Sequence, residues 1–133
     1  MKPGVGAVAV VIQNGRVLLI KRKYPPSAGK WAFPGGGIEL GETALEAAAR
    51  ELSEETGVCG KPIRYLTNVD AIGWHADGTV EHHFLLAVVL CNYVSGVPVA
   101  ADDATDARWV HIEDVHKLDT TENVDMVIKL ATP

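Results

Sequence analysis

Residues 36–58 read GGIELGETALEAAARELSEETGV and carry the start, body and stop of one helix. Thr43 can cap a helix, and Glu46 three residues on completes a Thr-x-x-Glu capping box. From Ala44 to Thr56 the composition is strongly helical. Gly57 stands where a left-handed residue would end the helix. Leu45, Ala48, Ala49 and Leu52 recur at helical spacing and predict one buried stripe. Glu51, Glu54 and Glu55 lie at i, i+3 and i+4, a spacing that brings their carboxylates together on another face. Those charges repel, and the macrodipole disfavours them toward a helix C-terminus. A hard divalent cation relieves both penalties: magnesium takes oxygen ligands and bridges carboxylates to phosphate.

An isolated Glu-x-x-Glu-Glu run is better read as a solvated acidic face, with Arg50 pairing Glu54 one turn on. Here the run follows a stretch of little side-chain bulk, Pro34, Gly35, Gly36 and Gly37, where backbone can approach a ligand closely. No Lys-Ser/Thr follows those glycines, which excludes a P-loop. The whole fits G-x5-E-x7-R-E-U-x-E-E-x-G-U, with U a bulky aliphatic. Gly36, Glu42, Arg50, Glu51, Glu54, Glu55 and Gly57 hold the fixed positions, and Leu52 and Val58 the aliphatic ones. Seven required residues at a background of roughly 7% each make a chance match on the order of 1 in 10⁸ per position.

This segment resembles the signature box of the Nudix hydrolases, which cleave nucleoside diphosphates linked to another group. It covers 23 of 133 residues. The resemblance implies an α/β/α sandwich with a mixed central β-sheet and a magnesium cofactor, with manganese able to substitute. It implies Glu51 and Glu55 as metal ligands, Glu54 as ligand or base, and Gly35 as the source of a backbone carbonyl on the metal. Such ions would neutralise phosphate oxygens and activate a water for attack at phosphorus. Arg50 would orient Glu54 or Glu42 through charge-assisted hydrogen bonds. Relatives often add a carboxylate from a distant loop; Asp103 is the candidate here, beside Asp102 and Glu81. Arg22, ending the second strand, is the expected phosphate contact. Trp74 and His83, clustered with His75 and His82 around one predicted loop, are candidates to meet a base or ribose.

The rest of the chain agrees with one enzyme domain spanning 1–133. No run of about 18 apolar residues predicts a membrane span, and the N-terminal MKPGVGAVAVVIQ lacks a signal-peptide layout. Cys59 and Cys91 form no paired motif and read as reduced, partly buried thiols, an expectation that suits the cytoplasm. A net charge of −5 argues against non-specific nucleic-acid binding but not against a phosphate substrate met through metal. No residue demands a homodimer, though relatives of this kind often form one.

Val5–Ile12 and Arg16–Lys21 read as a hairpin about Asn14-Gly15. Trp31–Phe33 is a short strand, with Trp31 and Trp109 assigned to the core. Ile63–Ile72, Glu81–Cys91 and Ala107–Ile112 are further strands, Gly73–Gly78 (GWHADG) a loop, and Thr121–Leu130 a terminal helix. For the substrate, an ADP-ribose-type nucleotide sugar is the leading expectation. Its basis is likeness in length and the segment Ala100-Ala101-Asp102-Asp103-Ala104 before the last strand. Many ADP-ribose-cleaving relatives carry a proline where Trp74 stands. The alternative is a nucleoside triphosphate pyrophosphohydrolase. A non-catalytic nucleotide-binding module is disfavoured because every box glutamate is kept.

Overall fold

The Asn14-Gly15 turn opens the fold. In the computed structural model, which describes residues 1–132, both residues adopt positive φ (54° and 72°), as a two-residue hairpin turn requires. They join β1 (Gly4–Gln13) to β2 (Arg16–Arg22). β1 is the hub of the sheet. It pairs antiparallel with β4 (Gly35–Gly37) over Gly6–Val8 and parallel with β6 (Val80–Ser95) from Gly4↔Phe84 to Val11↔Cys91. β5 (Cys59–Trp74) lies antiparallel outside β6, while β2 carries β3 (Trp31–Ala32) and β7 (Ala104–His111) on its two sides.

Period-two alternation splits the apolar residues between two faces. Ala7, Ala9, Val11, Val89 and Cys91 pack under α1 (Ala44–Thr56) with Ala48, Leu52 and Val58. Val10, Val17, Leu19 and Val88 pack under α2 (Val124–Ala131) and a 3-10 helix (Ile112–Lys117). The result is the expected α/β/α sandwich with a mixed sheet. Among the described residues no helix is long and apolar enough to cross a membrane.

α1 begins and ends as its sequence predicts. Thr43 Oγ1 accepts from the Glu46 N–H at 3.1 Å, and Glu46 Oε1 accepts from the Thr43 N–H at 3.0 Å. Gly57, at φ 72°, donates back to the Ser53 carbonyl at 2.9 Å. Its buried stripe is shifted from the expected one. Ala47 is fully buried beside Ala48 and Leu52, whereas Ala49 and Leu45 are half-buried. The buried face is thus rotated toward the row Ala47, Glu51, Glu55, which lie four residues apart. Leu52 has no exposed surface and touches the core under α1. Leu52→Ala is expected to cost about 2–5 kcal/mol of stability, read as a lower denaturant midpoint with unchanged slope.

Other elements depart from expectation for local reasons. β5 and β6 run well past the predicted ends because bulges near Pro62 and Gly73 absorb the residues that read as strand breakers. Gly73 and Trp74 are therefore strand, and only His75–Thr79 turns. The glycine run is itself a strand, paired with β1, and not a free loop. Thr121–Asn123 precede α2 instead of belonging to it, since Asn123 takes a left-handed φ of 71°. Trp31 is buried; Trp109 is half-buried, edge-on to Tyr93 at 5.7 Å. Both cysteines are free, but Cys59 is exposed, while burial raises the Cys91 thiol to about 11.

Candidate active site

The three glycines of β4 form a wall without side chains, and α1 touches it residue by residue. The Gly35 N–H donates to Glu55 Oε1 at 2.8 Å. Glu51 lies over Gly36 so closely that a Cβ there would stand 2.6 Å from its carboxylate. Arg50 Nη2 donates to the Gly37 carbonyl at 2.9 Å. On its other side the same wall lines a cleft of about 460 Å³ between the sheet, the Pro26–Lys30 loop and the start of α2.

Arg50 organises the acidic cluster. Its Nε and Nη2 reach the two oxygens of Glu42 at 2.8 and 3.0 Å, and its Nη1 reaches Glu51 at 2.9 Å and Glu54 at 3.1 Å. Both expected partners, Glu42 and Glu54, are therefore held at once. The Arg50 hydrogen bonds hold the Glu42 carboxyl below its ordinary range.

Glu51 and Glu55 are less well compensated. Burial pushes Glu55 up to about 7 against the pull of the Gly35 N–H; the charges of Glu51 and Asp103 add to the rise, and Arg22 opposes it. Burial also raises Glu51 despite Arg50, with Glu54 and Asp103 contributing. Asp103 is brought here by backbone. The Ala101 N–H bonds the Glu55 carbonyl at 3.0 Å, and the Lys23 N–H bonds the Asp103 carbonyl at 2.9 Å, fixing this loop against the end of α1. Glu81 stands exposed at the far end of the β5–β6 hairpin.

Among the described residues no three acidic, imidazole or thiol groups form a ready coordination shell, since Arg50 draws Glu51 and Glu54 to itself. The donors nevertheless suit a hard divalent cation. They are all oxygens, they crowd like charge, and the two nearest the wall carry an electrostatic penalty that a cation would lift.

Arg22 lines the cleft, with its Nε on the Pro26 carbonyl at 2.8 Å. Trp74 and His83 do not line it. Gly73 and Trp74 are strand instead of loop, and His83 points to the opposite face of β6 from His82, which does line the cleft with Phe84. The sequence signal that separates the two histidines is the alternation of β6. Val88 falls in the core under α2 and Val89 in the core under α1, so even positions face the cleft. Lys30 and Phe33, also on the cleft, carried no motif that would have singled them out.

The fold and this glycine-backed carboxylate helix define the class, and comparison with known proteins agrees. The NUDIX domain model matches residues 2–130, and the chain belongs to the Nudix family of hydrolases. It is 34% identical over 118 residues to the ADP-ribose pyrophosphatase of Methanocaldococcus jannaschii, covering 89% of this chain and 68% of that one. It is 31% identical over 121 residues to the nucleoside triphosphatase NudI of an Enterobacter species, covering 85% of each. The crystal structure of a MutT NUDIX hydrolase from Burkholderia pseudomallei superposes with a TM-score of 0.86 at 30% identity, covering 99% of this chain and 100% of that one.

Proposed function

We propose that the chain hydrolyses the phosphoanhydride of a nucleoside diphosphate joined to a further group, ADP-ribose or a similar nucleotide sugar, with Mg²⁺ or Mn²⁺ as cofactor. The observation that carries this reading is the glycine wall, with the cleft on one side and Glu55, Glu51 and Arg50 against the other. Only the backbone of β4, bare of side chains, separates a pyrophosphate in the cleft from the carboxylates.

Glu51 and Glu55 are assigned as metal ligands, with Gly35 and Asp103 completing the oxygen set and Glu54 serving as ligand or base. When bound, a divalent ion supplies charge neutralisation at phosphate oxygens and a more acidic water. Arg50 keeps the box carboxylates in place, and Arg22 meets a phosphate from the cleft side. Water adds across the P–O–P bridge and leaves two phosphomonoesters.

A triphosphate reading is favoured by the likeness to NudI. Product analysis separates the two. The chain would be offered ADP-ribose, other nucleotide sugars, dinucleoside polyphosphates and nucleoside triphosphates, with magnesium and with manganese. AMP and ribose 5-phosphate from ADP-ribose are expected. NMP and pyrophosphate from a triphosphate would select the second reading. No turnover of any substrate while metal binds would defeat both.

A further inference from the structure

The floor of the cleft carries a polar atom that the fold leaves unsatisfied. His82 lies on β6 in line with Phe84, Leu86 and Val88, all facing the cleft. Its Nδ1 is buried and, among the described residues, has no hydrogen-bond partner. The imidazole rests against Gly73, its opposite number in the β5–β6 ladder, and a Cβ at Gly73 would overlap Cε1, Nδ1 and Nε2 of the ring. Phe84 is seated in the same way against Gly4 of β1, where a Cβ would stand 2.8 Å from two ring carbons. Two missing Cβ atoms thus let one polar and one apolar ring lean onto the neighbouring strands, two residues apart along one cleft. Packing does not account for His82. A leucine would fill the notch without stranding a polar atom, and buried polar groups ordinarily have partners.

We infer that His82 and Phe84 are the base-reading end of the cleft, where the nucleobase of the substrate stacks and is hydrogen-bonded. The inference rests on the phosphoanhydride reading above, which places a nucleotide there. Phe84, still 40% exposed, offers a ring for a base to stack on. His82 supplies the polar edge. An imidazole nitrogen can donate or accept a hydrogen bond, and every nucleobase presents such groups along its edge. Turned about its Cβ–Cγ bond, the imidazole would present Nδ1 to the base. Arg22 and the glycine wall lie on the same cleft for the phosphates.

The test uses the whole chain, labelled with ¹⁵N in the histidine rings, and two ligands: AMP and its base-free counterpart ribose 5-phosphate. AMP is expected to move the His82 ring resonances, and ribose 5-phosphate to leave them in place. His82→Leu should weaken AMP about tenfold with ribose 5-phosphate unchanged, while His82→Gln, which can still hydrogen-bond, should lose about threefold or less. Gly73→Ala, which displaces the imidazole without removing it, should reproduce His82→Leu. The inference is overturned if AMP binds without moving His82, if AMP does not bind, or if His82→Leu weakens both ligands alike. Hydrolysis of ADP-ribose is scored separately. Turnover that is indifferent to His82 sinks this inference alone, and AMP binding through His82 without cleavage of any phosphoanhydride sinks the functional reading alone.

Discussion

Glu55→Gln is expected to remove at least about 10³-fold of kcat/KM, since metal-assisted charge stabilisation is worth several kcal/mol, and at the same time to stabilise the metal-free protein. Both effects follow from one side chain. Glu55 is only 4% exposed, bonded to the glycine wall, and pushed up to about 7 from an ordinary 4.5. The unfolded chain releases this proton near 4.5, whereas the folded chain keeps it to about 7. Between those values folding takes up a proton, so stability falls as pH rises through the window and stays lower above it. The loss for this group is about 3 kcal/mol. Glutamine carries no charge to desolvate, so the variant should lose this slope and melt higher than the parent above pH 7. Added magnesium should raise the melting temperature of the parent and little of the variant, because a ligand stabilises only the state that binds it. Melting curves between pH 4.5 and 9, with and without magnesium, beside steady-state kinetics, give every term. A variant that kept the parent's pH slope, or nearly its activity, would remove Glu55 from the site.

The sequence shows α1 and its chemistry because both are local. Capping box, C-terminal glycine and carboxylate spacing all fall within one helix, where side-chain neighbours follow from the 3.6-residue repeat. The hairpin at Asn14-Gly15 is legible for the same reason. The cleft is not, because its lining comes from distant segments: Arg22, Gly35, His82 and Val127 share no window of sequence. His82 and His83 are adjacent in the chain and on opposite sides of the sheet, and a one-residue difference in register decides which one faces the cleft. The predicted apolar stripe of α1 left out Ala47, because a partly buried carboxylate row looks polar in sequence. Glu51 and Glu55 border the core only because β4 offers glycines for them to lie against. Asp103 could be named as a candidate from sequence, but its nearness to Glu51 and Glu55 depends on the backbone bond from Ala101 to the end of α1.

Arg50→Met is expected to lower kcat about 100-fold without weakening magnesium binding, and Arg50→Lys to fall nearly as far. The guanidinium meets Glu42 with two nitrogens, Glu51 and Glu54 with a third donor position, and the Gly37 carbonyl besides. It therefore sets the distance between α1, the loop that enters it, and the glycine wall. An ammonium is a point charge that cannot span a bidentate carboxylate and a carbonyl at once, so lysine restores the charge and not the geometry. Charge alone predicts a different result for metal. Arg50 is the cation that Glu42, Glu51 and Glu54 share, so its loss leaves those carboxylates free to bind Mg²⁺ at least as tightly as before. Magnesium titration followed by calorimetry, beside kcat at saturating magnesium, separates the two roles. If Arg50 only balanced charge, raising magnesium would restore the Met variant to the parent's rate. If Arg50 positions the carboxylates against the wall, no concentration of magnesium does so, because the ion then binds a cluster whose members no longer hold their places beside Gly35 and Gly36.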